Sequence, residues 1–416
     1  MDSNHLLQAV LSEFQRIAAI PRPSHHEEQI ADYLCAWAQE HALVWTRDPL
    51  GDVIIDKAAA PGHEGAPGVI LQAHMDMVCV AAEGVKYDPL KDSIRVLNDG
   101  KTLSADGTSL GADDGIGIAL ALALLADRDL VHGPLRAVFT VNEEDGMSSG
   151  AMDPGYLEGK YLINLDWEWL GSLCNSSAGG DFMAFTRTYA PCPAPKGEVL
   201  VHLILTGLLG GHSGVDIHRG RANALTELAK LLMRLRRCGL ACQVVDFQGG
   251  QARNAIPAAA GVTVAVLPED VPRLEALTAE FAADLKAAYD QIEPGMELRC
   301  AVTSDQPVSV IPSEDTAALL SLILVLPNGV HTMSPFAEGL VESSQNVGLL
   351  EHDPGCLRLS AMARSCTGHR AEELLEISRL LAVAHGFAFE QGEHSPAWAV
   401  NPKSRLTPLT CQVYGN

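Results

Sequence analysis

Residues 110–126 read LGADDGIGIALALALLA, and residues 135–146 read LRAVFTVNEEDG. The first stretch is a glycine-rich turn that runs into apolar residues, which predicts a buried helix over about 115–126. The second is a largely apolar run, 135–141, followed after Asn142 by three adjacent carboxylates, and it predicts a buried strand. A buried helix followed by a buried strand indicates an α/β sheet in this part of the chain.

The neighbouring sequence repeats this alternation. Short apolar runs at 53–55, 69–71 and 161–165 predict further strands, and Gly/Pro-rich connections separate them. Ser24 and Glu27 have capping-box spacing, which predicts the start of a helix that continues to about residue 37. Buried runs with intervening helices are typical of a largely parallel α/β sheet.

The second half of the chain has a different pattern. From residue 199 the predicted order is strand, helix, strand, strand, helix, strand, which is the order of a ferredoxin-like α+β unit. A helix, two strands, a helix and a strand are predicted after it. The Pro- and Ala-rich residues 190–196 mark the entry to this unit. We therefore expect a catalytic α/β domain over 1–188, a lid and dimerisation domain over 189–394, and the start of a C-terminal catalytic segment over 395–416.

Composition limits the classes of partner. The chain has 416 residues, and 52 Asp and Glu against 29 Lys and Arg give a formal charge of −23. Such a charge argues against nucleic acid as a partner, because binding to phosphates requires clustered Lys and Arg. The apolar runs are too short to span a membrane. The 10 cysteines are scattered, and no secretory leader precedes the first helix, so we expect reduced thiols and a cytoplasmic location.

Four polar segments lie at or just after predicted strand ends: HMD at 74–76, GADDGIG at 111–117, NEEDG at 142–146 and INLD at 163–166. Each one alone also fits a simple turn or a helix cap. Ligand sites in open α/β sheets lie at the carboxyl ends of the strands, so together these segments predict one site. A histidine with several carboxylates suits zinc, manganese or cobalt, and two metals that share a carboxylate form a known hydrolytic arrangement.

In this order and spacing, the four segments resemble those of the aminoacyl-histidine dipeptidases. These belong to the larger family of co-catalytic zinc aminoacylases, carboxypeptidases and dipeptidases. The resemblance runs from the first helix to about Trp398. It implies a phosphorylase/hydrolase-like mixed sheet with helices on both faces, interrupted by a ferredoxin-like α+β lid. The implied activity is hydrolysis of dipeptides, Xaa-His and others, by a homodimer formed through the lid.

The resemblance also assigns roles to single residues of the first domain. The implied metal ligands are His74, Asp113, Glu144 and Asp166. Asp113 would bridge two Zn²⁺ ions, for which Mn²⁺ or Co²⁺ are alternatives, and Asp76 would steady His74 as a catalytic residue. Glu143 would be the general base that acts on a metal-activated water. Asp114 stands where the family usually has Asn, so one additional carboxylate is present.

Three residues of the lid are implied to contact substrate. His212 would reach across the dimer and donate a hydrogen bond to the developing oxyanion. Asn254 would contact the substrate, although Ala258 and Ala259 replace the Arg-Glu pair that often follows in the family. Arg364 would clamp the terminal carboxylate of a dipeptide, a role that suits the two-pronged guanidinium group.

The family usually continues past the Ser-Pro-Ala-Trp segment at 395–398 to a histidine that completes the second metal site. This sequence ends at Asn416 without it, and neither His385 nor His394 matches its position, so the resemblance implies an incomplete second site. Two alternatives remain open: an amide hydrolase of the aminoacylase or carboxypeptidase type, and a non-catalytic homologue that binds peptide or metal. The extended lid and the stretch 329–348 favour the dipeptidase.

Overall fold

The computed structural model describes residues 3–146, 148–167, 169–303, 309–335 and 337–415. The chain forms two compact units. The first unit consists of Met1–Cys174 with Ser404–Asn416, and the second consists of Asn175–Lys403. Each unit has its own sheet and its own buried core.

The first unit alternates helices and short strands along its length. Its elements are α1 (Ser3–Ala18), α2 (Glu28–Glu40), β1 (Val44–Arg47), β2 (Val53–Lys57), β3 (Val69–His74), β4 (Val96–Asn98), β5 (Leu103–Ala105), α3 (Ala112–Ala126), β6 (Leu135–Thr140) and β7 (Tyr161–Asn164). All four apolar runs that predict strands in this half of the sequence are strands in the structure.

The main sheet of this unit is mixed, as the resemblance implies. Its strand order is β1-β2-β6-β3-β7. Only the β3–β6 and β3–β7 pairs are parallel, while β1–β2 and β2–β6 are antiparallel. The expectation of a largely parallel sheet therefore holds only for its last three strands. These three strands run side by side, with His74 opposite Thr140 and Gln72 opposite Asn164, so their carboxyl ends meet at one edge.

The core of the first unit explains why α3 forms at this place. The helix is apolar on nearly all sides, and a helix of that kind is stable only when it is buried. Ile118 and Leu122 of α3 are fully buried in one cluster with Phe14 and Ile17 of α1 and Phe139 of β6. Burying side chains of this size stabilises the fold by about 1.5–3 kcal/mol each.

The predicted capping box at the start of α2 is wrong. The helix begins at Glu28, and its N-cap residue Glu27 makes no side-chain cap. The hydroxyl of Ser24 instead donates to Asp76 Oδ2 at 2.7 Å, and Glu27 Oε1 accepts from the Asn142 amide at 2.9 Å. Both polar side chains are therefore engaged by distant segments of the unit, and neither caps the helix.

The second unit is built on a larger antiparallel sheet. Its elements are β8 (Gly179–Thr188), β9 (Cys192–Pro193), β10 (Val199–Thr206), α4 (Ala224–Arg237), β11 (Cys242–Gly249), β12 (Ala260–Val266), α5 (Val271–Tyr289), β13 (Glu297–Thr303), β14 (Ser309–Val310), α6 (Ser313–Val325), β15 (Gly329–Met333), β16 (Val341–Asp353), β17 (Cys356–Ser365), α7 (Gly368–Ala384) and β18 (Ala388–Ser395). Helix α8 (Leu406–Tyr414) follows and belongs to the first unit.

The strand order of the large sheet confirms the ferredoxin-like prediction. The order is β13-β10-β12-β11-β16-β17-β8-β18, with β15 paired to β16. Within its first four strands, the fourth strand in sequence lies beside the first, then the third and the second. Every pairing among these four strands is antiparallel. The sheet then continues through β16 and β17, which form a long hairpin.

The two units divide after Cys174, whereas the division expected from the sequence falls after residue 188. The difference comes from β8, which pairs along its length with β17 and also with β18. Within the described residues, no helix combines the length and apolar character needed to cross a membrane.

Candidate functional site

His74 lies at the carboxyl end of β3 and is the centre of a cluster of carboxylates. Its side chain is about 1% exposed. His74 Nδ1 lies 3.3 Å from Asp76 Oδ1, and His74 Nε2 lies 2.9 Å from Asp113 Oδ1 and 3.9 Å from Asp166 Oδ1. Among the described residues, His74, Asp113 and Asp166 form a group whose ligand atoms all lie within 4.8 Å of one another. The structure thus brings together three of the four predicted metal ligands.

Asp76 is buried behind His74 and organises the polar segments around it. Its carboxylate faces His74 Nδ1 and accepts hydrogen bonds from the Ser24 hydroxyl and from the amides of Glu143 and Glu144. Burial alone would raise the pKa of Asp76, but these contacts hold it well below its usual value. Asp76 therefore stays ionised and can fix the orientation of the His74 ring.

Asp113 is presented by the glycine-rich turn at the start of α3. Gly111, with φ of 67°, occupies the left-handed region that glycine adopts without strain, and the Asp113–Asp114 peptide bond is cis. Asp113 itself has non-helical backbone angles, so the regular helix begins after it. Its carboxylate is about half exposed, in contrast to the buried His74 that it contacts.

Asp166 is positioned by a row of amide side chains across the ends of the parallel strands. Gln72 Nε2 donates to Thr140 Oγ1 at 3.2 Å, and Asn164 Nδ2 donates to Gln72 Oε1 at 2.5 Å. Asn164 Oδ1 then accepts from the Asp166 amide at 3.1 Å. This row links β6, β3 and β7 near their carboxyl ends and holds the main chain at Asp166.

Glu143 and Glu144 follow β6 in the same unit. Burial is the main reason that the pKa of each glutamate is raised, and nearby carboxylates add to the effect: Asp166 for Glu143 and Asp113 for Glu144. Neither residue belongs to the three-residue cluster. Glu143 lines a cleft together with Asp166 and Gln72, so its carboxylate faces space beside the cluster.

The pKa values of His74 and Asp166 are both raised in a cluster that holds several carboxylates and few positive charges. Burial disfavours a charged imidazole, but the hydrogen bonds with Asp76 and Asp113 outweigh it and raise the pKa of His74 to about 10. Burial also raises the pKa of Asp166 to about 6, since the repulsion from Asp113 adds to it although His74 opposes it. A buried set of one imidazole and several carboxylates with these shifts fits a divalent cation, because a cation would neutralise the set.

His212 belongs to the second unit, where its tautomer is fixed by the backbone. The amides of Gly214 and Val215 point to His212 Nδ1, at 3.3 and 3.1 Å, so Nδ1 accepts and Nε2 carries the proton. The His212 amide donates to Asp216 Oδ2 at 2.9 Å. Burial and the nearby Arg364 cation lower the pKa of His212, which keeps the ring neutral.

Arg364 and His212 line the same cavity, which has a volume of about 340 Å³ and lies in the second unit. Arg364 Nη2 lies 3.3 Å from His212 Nε2. Because a guanidinium group can only donate and His212 Nε2 also carries a proton, two N–H groups face the same space. An oxygen with negative charge would accept from both. The volume falls within the range of small-molecule sites.

Asn254 is exposed and does not line this cavity. Its carbonyl oxygen accepts from the Ser213 amide at 2.9 Å, which places it beside the His212 segment. The sequence reasoning missed Arg22 and assigned Ser24 to a helix cap, yet both residues contact the segments that carry the cluster. No periodicity or motif marks these contacts, since they join positions more than 50 residues apart.

Comparisons with known proteins give a family model, a curated relative and a solved structure that match this chain over the ranges below. A family model described as a peptidase dimerisation domain matches residues 204–293. The chain is 36% identical over 404 residues to the cytosol non-specific dipeptidase of Escherichia coli K12, which covers 96% of this chain and 82% of that protein. It also matches the crystal structure of aminoacylhistidine dipeptidase from Vibrio alginolyticus, with a TM-score of 0.89, 35% identity, and coverage of 96% of this chain and 82% of the other.

Proposed function

The chain belongs to the M20 peptidase family, and from that premise we propose that it hydrolyses dipeptides at a metal centre built on His74, Asp113 and Asp166. The observation that carries the proposal is the convergence of these three ligand atoms within 4.8 Å, where His74 ends β3, Asp166 follows β7 and Asp113 lies at the start of α3. An arrangement of three protein ligands is typical of catalytic zinc sites, which keep a further position open.

We propose Zn²⁺ as the metal, because imidazole nitrogen and carboxylate oxygen are both suited to it, with Mn²⁺ or Co²⁺ as alternatives. Glu144 would contribute to a second metal that shares Asp113. The repulsion between Glu144 and Asp113 supports this assignment, since a cation between them would remove it. When bound, the metal would supply a Lewis acid that polarises the scissile carbonyl and activates water.

Glu143 is proposed as the general base. Glu143 lines the cleft beside Asp166, and burial raises its pKa above the usual value of a glutamate, a direction that favours proton transfer by a general base. Glu143 would accept a proton from the attacking water and return it to the nitrogen of the leaving amine. Asp76, fixed by its four hydrogen-bond contacts, would hold His74 in one ring orientation throughout.

His212 and Arg364 are proposed to bind the anionic oxygens of the substrate. The N–H groups of both side chains face one cavity and have no acceptor from each other. Arg364 would take the terminal carboxylate as a paired hydrogen bond, while His212 Nε2–H would donate to an oxygen that gains negative charge. Asn254 would assist from the neighbouring loop.

The relatives support more detailed proposals for substrate range, assembly and location. We propose Xaa-His dipeptides as one substrate group and a broader dipeptide range as the other, after the Vibrio and Escherichia proteins respectively. We also propose a homodimer formed through the second unit, where the dimerisation-domain model matches, and a cytoplasmic location. Light scattering that gives the mass of two chains would support the dimer, and the mass of one chain would refute it.

The decisive experiment replaces Glu143 with Gln. Purified protein loaded with Zn²⁺, Mn²⁺ or Co²⁺ is assayed on Xaa-His and other dipeptides by release of free amino acid. We expect Glu143→Gln to lower kcat by roughly 10²–10⁴-fold, because the proton carrier is lost while the metal ligands remain. Metal content, measured by plasma emission spectrometry, should stay at the wild-type level.

Asp145→Asn is the matched control, because it removes one carboxylate from the same turn. Asp145 is exposed and pairs only with the exposed His25 at 3.2 Å among the described residues, a contact worth little in water. The kcat of the Asp145→Asn variant should remain within about twofold of the wild-type kcat. Metal-loaded wild-type protein without turnover on any dipeptide would refute the proposal and favour a peptide- or metal-binding role.

A further inference from the structure

The loop between α1 and α2, residues 19–27, carries the largest fully buried side chain of the described chain, Arg22. Arg22 is about 1% exposed. Its Nη1 donates to the carbonyl oxygens of Met75 and Asp76, both at 2.8 Å, and its Nη2 donates to the carbonyl oxygen of Gly111. One guanidinium group thus joins the segment after β3 to the glycine-rich turn before α3.

This buried cation has no carboxylate partner within the described residues, since all its hydrogen bonds go to main-chain oxygens. A buried charge is costly unless it is well paired or placed to balance opposite charge. Arg22 lies within electrostatic range of Asp76, Asp113 and Asp114, so its charge partly balances the carboxylates of the cluster. The charge of the buried guanidinium is therefore balanced by the carboxylates of the cluster and not by a direct ion pair.

The glycine-rich turn is shaped around the Arg22 side chain. A Cβ atom added at Gly111 would lie 2.7 Å from Arg22 Nη2, and one added at Gly115 would lie at the same distance. Real Cβ atoms essentially never approach a heavy atom so closely. Two glycines that flank the Asp113–Asp114 pair are thus required for the guanidinium to sit against the turn.

The same loop makes two further contacts with the segments of the cluster. The Ser24 hydroxyl donates to Asp76 Oδ2 at 2.7 Å. Glu27 Oε1 accepts from the amide of Asn142, the residue before Glu143, at 2.9 Å. The loop therefore contacts three segments of the cluster: the one after β3, the one before α3 and the one after β6.

We propose that the α1–α2 loop, chiefly through Arg22 and Ser24, is a positioning element that sets the geometry of His74, Asp76 and Asp113 for metal binding. This role rests on the proposed metal centre. Arg22 fixes the main chain on both sides of the His74–Asp113 contact, and Ser24 fixes the carboxylate that orients His74. Loss of either contact would let the ligands move apart while the apolar core of the unit remains.

The test compares Co²⁺ binding by wild type, Arg22→Gln and Ser24→Ala, using the full chain. Affinity and the visible absorption band of bound Co²⁺ are measured by titration, and thermal unfolding of the metal-free proteins by circular dichroism. We expect Arg22→Gln to bind Co²⁺ about 10–100-fold more weakly, the usual effect of removing a group that orients metal ligands, with an altered band. Ser24→Ala, which loses one hydrogen bond, should weaken binding by up to about tenfold.

Arg187→Gln is the matched control. Arg187, in the second unit, also donates to two main-chain oxygens, those of His385 and Gly386, and it pairs with Asp315 at 2.6 Å. This variant should unfold at a lower temperature with unchanged Co²⁺ affinity. If Arg22→Gln does not fold, Ser24→Ala decides the question.

Folded Arg22→Gln and Ser24→Ala proteins with wild-type Co²⁺ affinity and band would overturn the positioning role. The same loss of affinity in Arg187→Gln would also overturn it, because the effect would then be a general loss of stability. Wild-type protein that binds no Co²⁺ would instead refute the metal centre itself, and the positioning role with it.

Discussion

Asp114 stands where the resemblance implies asparagine, and the structure shows what this carboxylate contacts. The side chain is about 2% exposed. It accepts from the His74 amide at 3.3 Å and from the Gly117 amide at 3.1 Å. Burial and the repulsion from Asp166 raise the pKa of Asp114 to about 7. The Asp114 carboxylate is not part of the group formed by His74, Asp113 and Asp166. Its two oxygens instead accept hydrogen bonds from main-chain amides beside that group.

A second buried carboxylate, Asp52, gives the stability of the fold a pH dependence. Burial raises the pKa of Asp52 to about 6, and the nearby Asp48 and Glu27 carboxylates add to this, although the Val141 amide donates to Asp52 Oδ1 at 2.8 Å. Between pH 4 and 6 the folded state keeps a proton that the unfolded chain has lost. Stability therefore falls as the pH rises through this window and stays at the lower value above it.

We expect Asp52→Asn to remove this fall. The amide keeps the oxygen that accepts from Val141 and carries no charge. The free energy of unfolding of this variant, relative to wild type, should rise from pH 4 to pH 7. The limit of this gain is about 3 kcal/mol, which corresponds to a shift of about two pKa units. Thermal unfolding of both metal-free proteins at several pH values measures this. An advantage that does not change with pH would contradict the prediction.

At the scale of elements, helix α3 has glycines where helix propensity alone would favour alanine. Gly115 lies in its first turn, and an added Cβ would meet Arg22 at 2.7 Å and Phe14 at 3.2 Å. The gain from propensity, about 1 kcal/mol, is smaller than the usual cost of overpacking a well-packed core, about 1–3 kcal/mol. The local preference of the helix is thus overridden by the side chains packed against it.

We expect Gly115→Ala to lower the free energy of unfolding by up to about 2 kcal/mol, the cost of overpacking less the gain in helix propensity. The matched control is Gly368→Ala in the first turn of α7, where an added Cβ meets no atom within 4 Å. That variant should be unchanged or more stable by up to about 1 kcal/mol. Chemical denaturation of the two variants distinguishes these effects. Equal changes in both would show that packing around Gly115 does not matter.

For the whole molecule, we expect bound metal to be needed for turnover and also to stabilise the folded state. A ligand that binds only the folded state stabilises it by about 2.7 kcal/mol at a hundred times its Kd. Removing metal with a chelator should abolish turnover and lower the first unfolding transition by roughly 5–10 °C, and added Zn²⁺ should restore both. Differential scanning calorimetry with a parallel activity assay measures the two effects.

Asp166→Asn is the control for the metal effect, since it removes one proposed ligand of the cluster. Its unfolding temperature should respond little to chelator or to added Zn²⁺, whereas the wild-type protein should respond fully. If both proteins respond equally, the metal that stabilises the fold binds elsewhere. The dipeptidase proposal would then lose its metal centre.

The sequence by itself determined which segments become strands and helices. Its family resemblance implied His74, Asp113, Glu144 and Asp166 as metal ligands, and the structure groups His74, Asp113 and Asp166 together. Apolar runs and glycine-rich turns are local patterns, and strand ends carry ligands wherever parallel strands meet. The ferredoxin-like order of the second unit was also predictable, because it is an order of strands and helices along the chain. The tertiary structure alone decided that only part of the first sheet is parallel, and that Ser24 and Glu27 contact distant segments instead of capping α2. It alone showed Arg22 buried against Met75, Asp76 and Gly111. These contacts join positions more than 50 residues apart, and a buried polar group takes whichever partner the packed chain brings to it.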